Sequence, residues 1–139
     1  MKKTLYLLLF TIILFGCNDE KKINRSLYSK GGKWEIVSYE RYMWSPSGTN
    51  IPAAYWCSKC GTIEFKKDGS GTFTLSASDG NSNAFKFTYT NTDDLLTLFS
   101  DNDGTIYDMT WNWEKDQFTL KQNLGEAGYI SVMTCKKKK

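Results

Sequence analysis

The sequence predicts an all-β fold in which eight antiparallel strands form an up-and-down barrel after a short flexible N-terminal tether. Three observations lead to this prediction. Beyond Gly31, apolar side chains recur at every second position, which puts them on one face of a strand. Asp-Gly pairs, which favour tight hairpin turns, separate these runs. No stretch beyond Gly31 has a sustained helical period with capping residues.

The predicted strands begin with residues 33–42 and end with residues 129–135. The runs between them alternate apolar residues with Thr, Lys, Asp and Asn, as expected where the outer face of a sheet meets water. Their apolar positions are Ile63 and Phe65; Phe73 and Leu75; Phe85, Phe87 and Tyr89; Leu96 and Leu98; Tyr107, Met109, Trp111 and Trp113; Phe118 and Leu120. The turn residues are Asp68-Gly69, Asp79-Gly80 and Asp103-Gly104. Such a meander leaves two exposed edges unless it closes, so a barrel is favoured.

The N-terminal segment is typical of an export signal. Lys2 and Lys3 precede an apolar stretch over residues 5–15, which is shorter than the roughly 20 residues of a membrane-spanning helix. The sequence Leu-Phe-Gly-Cys at 14–17 resembles the lipobox of bacterial lipoproteins, in which the cysteine is diacylated and becomes the mature N-terminus. We therefore predict a signal peptide over residues 1–16 and a palmitate-type lipid anchor on Cys17.

Residues 17–30 are predicted to form a lipidated flexible tether. They are polar and have no apolar period, so they would not bury enough surface to offset the entropy lost on ordering. The acidic pair Asp19-Glu20 resembles the signal by which some Gram-negative lipoproteins reach the outer face of the outer membrane. The expected location is the cell envelope, with the chain lipid-anchored to the outer membrane and exposed at the surface.

The first strands carry motifs that resemble those of lipocalin-like, calycin-type domains of bacterial lipoproteins. Gly32-Lys33-Trp34 resembles the Gly-x-Trp signature of the first strand, and residues 60–73 are similar to the second and third strands. This resemblance extends over most of residues 31–135, which we interpret as one domain. It implies that Trp34 packs at the base of the barrel. The lysines at 136–139 are expected to form a solvated basic tail.

A long connection is predicted over residues 43–58, and its aromatic side chains are candidates for a binding site. Connections longer than about 12 residues in compact domains are usually functional or disordered. These aromatics could cover a small apolar or aromatic ligand at the barrel mouth, or fold back to plug it. The candidate ligand-binding residues are Trp44, Tyr55 and Trp56, with Tyr39 and Tyr42 as neighbours.

The barrel interior leaves a second function open. Eight strands enclose a space that side chains either fill or leave wide enough for one small ligand. A membrane-anchored binding module for a small ligand is the first prediction. The alternative is a solid barrel without a pocket that binds a protein partner, as an inhibitor or accessory subunit does.

The cysteines beyond Cys17 are Cys57, Cys60 and Cys135, in a chain predicted to enter an oxidising compartment. Cys135 is expected beside the start of the first strand, whereas the other two are expected beyond its far end, roughly 25 Å away. A Cys57–Cys60 disulfide is therefore favoured, with Cys135 free or buried. A zinc site is disfavoured because it needs four ligands and the chain has no histidine, so no metal and no cofactor are predicted.

Enzymatic activity is not predicted. The chain has no histidine to serve as a catalytic base, and no Gly-rich phosphate loop follows a strand. Asp93-Asp94 is typical of a turn, and Asp108 of an outward strand position. Of the 18 basic residues, Lys2 and Lys3 belong to the predicted signal and four more are the lysines at 136–139. The rest of the chain has 12 basic against 15 acidic residues, so nucleic acid is not an expected partner.

Overall fold

The computed structural model describes residues 18–43, 51–76, 82–123 and 128–139. Within these ranges, no helix has the length and apolar character needed to cross a membrane. The elements are helix α1 (Asn18–Tyr28), a 3₁₀ turn (Ser29–Gly31), and strands β1 (Lys33–Met43), β2 (Ile51–Phe65), β3 (Ser70–Ser76), β4 (Ser82–Asn91), β5 (Leu95–Ser100), β6 (Ile106–Glu114), β7 (Gln117–Asn123) and β8 (Tyr129–Lys137).

The strands form a closed barrel in which each strand is antiparallel to the next. Strand β1 closes the sheet because it pairs with β2 on one side and with β8 on the other. Tyr39, for example, lies opposite Cys57 of β2 and Met133 of β8. Closure removes the two free edges that a meander would expose. The predicted eight-stranded up-and-down barrel is confirmed.

The barrel has two ends, which we name by their position relative to α1. The base is the end where β1 begins and β8 ends, and it carries turns near residues 66–69, 92–94 and 115–116. The mouth is the opposite end, where the odd-numbered strands end and the even-numbered strands begin. Helix α1 packs at the base, where the Nδ2 of Asn24 donates a hydrogen bond of 2.9 Å to the Oδ1 of Asn91.

Aromatic side chains fill the base half of the barrel. Trp34, Phe65, Phe87 and Phe118 are fully buried there. The ring centroids of Trp34 and Phe118 are 4.7 Å apart, and those of Phe65 and Phe87 are 5.7 Å apart. Tilted and edge-to-face pairs of this kind add to the free energy of apolar burial. Trp34 therefore has a packing role at the base of the barrel.

Helix α1 corrects the prediction of a flexible tether over residues 17–30. Leu27 is fully buried and Ile23 is 8% exposed, and both belong to the core of the barrel. The two residues are one helical turn apart, so they share the face that meets the base. Asp19 and Glu20 lie in the first turn and Arg25 in the last, which suits the helix dipole. Its apolar residues Ile23, Leu27 and Tyr28 were too few in a polar segment to indicate this helix from composition.

The basic tail predicted at 136–139 is also corrected, because β8 extends to Lys137. The Nζ of Lys137 donates hydrogen bonds to the backbone oxygen of Ser26 and to the Oγ of Ser29, the latter at 2.7 Å. The same Nζ lies 4.6 Å from the centroid of the Trp34 ring. Partial burial lowers the pKa of this amine. Lys137 is therefore part of the contact between α1 and the barrel base.

The Gly-x-Trp motif has a steric explanation. Gly32 has a φ of +66°, and a Cβ placed on it would overlap the carbonyl oxygen of Phe65. Its own carbonyl accepts a hydrogen bond of 2.9 Å from the backbone N–H of Phe65. Only glycine meets both conditions without strain. Gly32 thus lets the end of β2 approach the chain just before Trp34 enters the core.

Candidate ligand-binding site

An interior cavity of about 160 Å³ lies in the mouth half of the barrel. Its described lining residues come from β1 and from β3 to β8. The apolar and aromatic lining residues are Phe73, Leu75, Phe85, Leu98, Tyr107, Met109, Leu120 and Met133. The polar lining residues are Tyr39, Arg41, Asn83, Gln122 and Ser131.

On some strands the inward side chains next to the mouth are smaller than those before them, which leaves room for the cavity. Along β7 the inward residues are Phe118, then Leu120, then Gln122. Along β8, Met133 is followed towards the mouth by Ser131. A barrel of eight strands has room for one small ligand only where its inward residues leave space. The base is therefore packed, and the interior volume is found at the mouth.

One wall of the cavity consists of stacked aromatic rings. Phe85 lies between Phe73 and Tyr107, with ring centroids 4.9 Å and 5.3 Å away respectively. The hydroxyl of Tyr107 is protonated at neutral pH and can donate a hydrogen bond, and burial raises its pKa further. These rings present a continuous apolar surface to anything bound in the cavity.

A β-bulge determines which residues of β1 face the cavity. The register of β1 shifts between Ile36 and Ser38 against both neighbouring strands. Trp34 and Ile36 are buried before the bulge, and Tyr39 and Arg41 line the cavity after it. An extra residue in one strand reverses the faces of all residues that follow. Sequence alternation alone would have continued the inward set through even-numbered positions, which is why Arg41 was not predicted.

Arg41 is the charged residue among the described lining residues of the cavity. Its Nη2 donates a hydrogen bond of 3.4 Å to the hydroxyl oxygen of Tyr39. Its Cζ lies 5.8 Å from the centroid of the Tyr129 ring, a cation–π contact. Its Nε atom is buried. The guanidinium is therefore held against the cavity wall by aromatic neighbours.

Strand alternation places the two tyrosines predicted as neighbours of the ligand on opposite faces of β1. Tyr39 lines the cavity. Tyr42 follows Arg41 in an extended strand, so its side chain lies on the opposite, outer face. There its hydroxyl donates a hydrogen bond to a carboxylate oxygen of Glu40, which raises the pKa of Tyr42. Tyr42 is thus not among the described lining residues of the cavity, and its predicted contact with a ligand remains a prediction.

The predicted aromatic lid is also changed by the structure. The connection predicted over residues 43–58 is shorter, because β2 begins at Ile51. Tyr55 and Trp56 are therefore strand residues, and Trp56 pairs with Glu40 of β1. Trp44 and the side chains of Tyr55 and Trp56 lie outside the described residues. Their predicted contact with a ligand remains a prediction.

Cys57 and Cys60 form a disulfide with a Cα separation of 5.7 Å. Cys135 is a buried free thiol, and burial raises its pKa. The separation expected between Cys135 and the other cysteines is wrong, because Ile36 pairs with both Cys135 and Gly61. Strand β2 runs back along β1, so Cys60 lies next to Gly61, the residue of β2 that pairs with Ile36. No cluster of three or more potential metal ligands is present among the described residues.

The acidic residues considered for catalysis lie outside the lining of the cavity. Asp94 accepts a hydrogen bond of 2.7 Å from Thr92 in the turn between β4 and β5. Asp108 is exposed on β6 and accepts a hydrogen bond of 2.6 Å from Thr97. The first contact lies within the turn, and the second lies on the outer surface of the sheet. Neither residue converges with a second carboxylate on the cavity.

No protein-family model and no curated protein sequence matches the chain. Its fold is similar to that of a lipocalin-like protein from Bacteroides uniformis, with 16% identity, a TM-score of 0.44, and coverage of 76% of this chain and 96% of that protein. Lobster apocrustacyanin A1 is also similar, with 13% identity, a TM-score of 0.44, and coverage of 86% of this chain and 69% of that protein.

Proposed function

We propose that this chain is a membrane-anchored binding module that takes one small, largely apolar ligand into the cavity at the barrel mouth. The observation that carries this proposal is the interior cavity of about 160 Å³ with its stacked aromatic wall. A cavity of roughly 150 Å³ with apolar walls holds a molecule the size of benzene. A mostly apolar lining with a few polar groups is the usual composition of a small-molecule site.

The orientation of α1 supports anchoring at the end opposite the mouth. The helix begins at Asn18, directly after the proposed lipid site Cys17. The backbone oxygen of Glu20, near the start of the helix, accepts a hydrogen bond of 3.3 Å from Asn91 at the barrel base. Lipid on Cys17 would therefore hold the base towards the membrane. The mouth would then point into the aqueous space, where a ligand can enter.

Binding is tested with the full chain in non-ionic detergent by isothermal titration calorimetry with indole and toluene. Met133 lines the cavity, and Met133→Trp is expected to fill it and abolish binding while thermal unfolding stays cooperative. Lys121 is exposed on β7, and Lys121→Trp adds the same side chain to the outer face as a control. Equal binding by both variants, or no binding by the unmodified chain, would contradict the proposal.

Anchoring is tested separately by metabolic labelling with a palmitate analogue in a Gram-negative host. Cys17→Ala is expected to remove the label and release the protein from the membrane fraction. Cys135→Ala serves as the matched control, because Cys135 is buried and is expected to leave the label unchanged. Label that persists in Cys17→Ala would overturn the lipid anchor.

The alternative function was a solid barrel that binds a protein partner. The interior cavity supports the ligand-binding function over it, because a solid barrel has no such volume. The outer-membrane location rests on the sequence signals at Cys17 and Asp19-Glu20 and stays a proposal. Membrane fractionation of the labelled cells decides between the inner and outer membrane.

A further inference from the structure

We infer that the base of the barrel is a second membrane contact, in which exposed cations bind the phosphate headgroups of an anionic lipid bilayer. This inference rests on the proposed lipid anchor and adds the orientation in which the anchor holds the barrel. The cations are Lys21, Lys22 and Arg25 of α1, Lys30 of the 3₁₀ turn, and Lys138 directly after β8. All five side chains are exposed, and we call them the basic face.

Helix α1 presents its cations on the side that faces away from the barrel. Ile23 and Leu27 are buried against the base and define the inner side of the helix. In a helix of about 3.6 residues per turn, positions two residues from Ile23 lie on the opposite side, which places Lys21 and Arg25 there. Like charges one turn apart repel each other. An anionic surface next to the helix relieves this repulsion.

Helix α1 lies across the base from one edge to the other. Near its start, the backbone oxygen of Glu20 accepts a hydrogen bond from the side chain of Asn91, at the end of β4. Near its end, the backbone oxygen of Ser26 accepts a hydrogen bond from the Nζ of Lys137, at the end of β8. Strands β4 and β8 lie on opposite sides of the eight-stranded barrel, and the 11 residues of the helix extend about 16 Å. The proposed anchor at Cys17 and the end of β8 therefore lie at opposite edges of the base.

Lys30 and Lys138 extend the basic face at the edge far from the anchor. Lys30 lies two residues beyond the end of α1. The backbone N–H of Lys138 donates a hydrogen bond of 3.0 Å to the carbonyl of Lys33, which attaches Lys138 to the start of β1. A lipid on Cys17 by itself would let the barrel tilt about a single point. Cations at the opposite edge provide a second point of attachment, so the base lies flat on the bilayer.

The charges elsewhere on the protein favour the same orientation. Asp19 and Asp93 line one groove beside the start of α1, so the acidic part of the base is next to the anchor. Asp101 and Asp103 are exposed in the turn between β5 and β6 at the mouth. An anionic bilayer therefore attracts the basic face and repels the mouth. Each Lys or Arg near such a bilayer strengthens the contact roughly fivefold, and the attraction is lost within about 8 Å at physiological salt.

The test uses the full lipidated protein in vesicles of phosphatidylcholine, alone or mixed with phosphatidylglycerol, that carry a nitroxide quencher on some headgroups. In a Cys135→Ala background, a fluorophore is attached at Asn112→Cys near the base or at Ser76→Cys near the mouth, both exposed positions. Phosphatidylglycerol is expected to raise quenching at the base at least about twofold, and high salt should remove the increase. Quenching at the mouth should stay low in both kinds of vesicle.

Two double variants with the same loss of charge separate the basic face from net charge. Lys21→Gln/Arg25→Gln removes the cations on the outer side of α1 and is expected to lose most of the increase in quenching at the base. Lys86→Gln/Lys121→Gln removes two exposed cations from the barrel wall and should keep it. Thermal unfolding of both variants shows whether they are folded, and the salt dependence of the unmodified chain tests the contact without any variant.

The outcomes separate this inference from the proposed anchor. A chain that floats with the vesicles but shows the same base quenching with and without phosphatidylglycerol would contradict the second contact and leave the anchor standing. A chain that floats with neither kind of vesicle would contradict both. Equal losses in the two double variants would assign the effect to net charge and overturn the basic face.

Discussion

The indole Nε1 of Trp34 donates a hydrogen bond of 2.9 Å to the backbone oxygen of Leu27. Both side chains are fully buried. This bond joins the first strand to a carbonyl near the end of α1, where the last carbonyls of a helix have no partner within the helix. The buried polar group of the tryptophan and a carbonyl of the helix are thus satisfied together. Helix α1 is thereby fixed as the closure of the barrel base.

Truncation of Leu27 tests whether α1 contributes to the stability of the fold. Leu27→Ala is expected to lower the free energy of unfolding by about 2–5 kcal/mol, because it removes a fully buried side chain and leaves a void. Lys21→Ala, an exposed position on the same helix, is expected to change it by less than about 0.5 kcal/mol. Urea unfolding measures both. Equal stability of the two variants would mean that the segment is a tether after all.

Substitution of Gly32 tests the steric account of the Gly-x-Trp motif. Gly32→Ala is expected to cost more than about 2 kcal/mol, because the new Cβ meets the Phe65 carbonyl in addition to an unfavourable φ. Gly104 is the matched control, with a φ of +71° and nothing within 4 Å of an added Cβ. Gly104→Ala should cost only the backbone strain, about 1 kcal/mol. Similar losses in both variants would contradict the close approach.

The thiol of Cys135 is expected to be inert in the folded protein. Burial excludes reagents and raises its pKa, so the reactive thiolate is scarce. In a Cys17→Ser background without reductant, a thiol reagent at mildly alkaline pH should modify nothing until denaturant is added. A cysteine placed at the exposed Ser76 is the control and should react at once. Rapid modification of Cys135 in native buffer would show that it is accessible.

The stability of the barrel should decline above pH 10 through Tyr89. Its hydroxyl donates a hydrogen bond of 3.0 Å to the Lys66 carbonyl, and burial raises its pKa from 10.0 to about 12. A raised folded-state pKa stabilises the protein fully below the unfolded pKa, and that stabilisation is lost as pH rises from 10.0 through about 12. Urea unfolding across this range measures the decline.

Tyr89→Phe separates this contribution from those of other tyrosines. At neutral pH the variant should lose about 1 kcal/mol with the hydrogen bond to Lys66. Above pH 10 its stability should then fall less steeply than that of the unmodified chain, because one raised pKa is gone. An unchanged slope would assign the alkaline decline to other groups, among them Tyr107, whose pKa is also raised by burial.

The alternation of apolar residues was enough to predict the barrel, because each strand pattern is local and closure follows from the need to remove two edges. The base position of Trp34 followed from a resemblance. The connection predicted over residues 43–58 is shorter in the structure, because pairing with β1 extends β2 back to Ile51. The composition of a segment does not show which strand it will pair with.

The sequence by itself determined the strand order, the turns and the packed aromatic face, since these depend on periods of two residues and on local turn chemistry. Only the tertiary structure decided that α1 caps the base through Leu27 and that Arg41 faces the cavity. The physical reason is the same in both cases. The burial of a mostly polar helix and the direction of side chains after a bulge depend on neighbours far away in the sequence, which no local pattern contains.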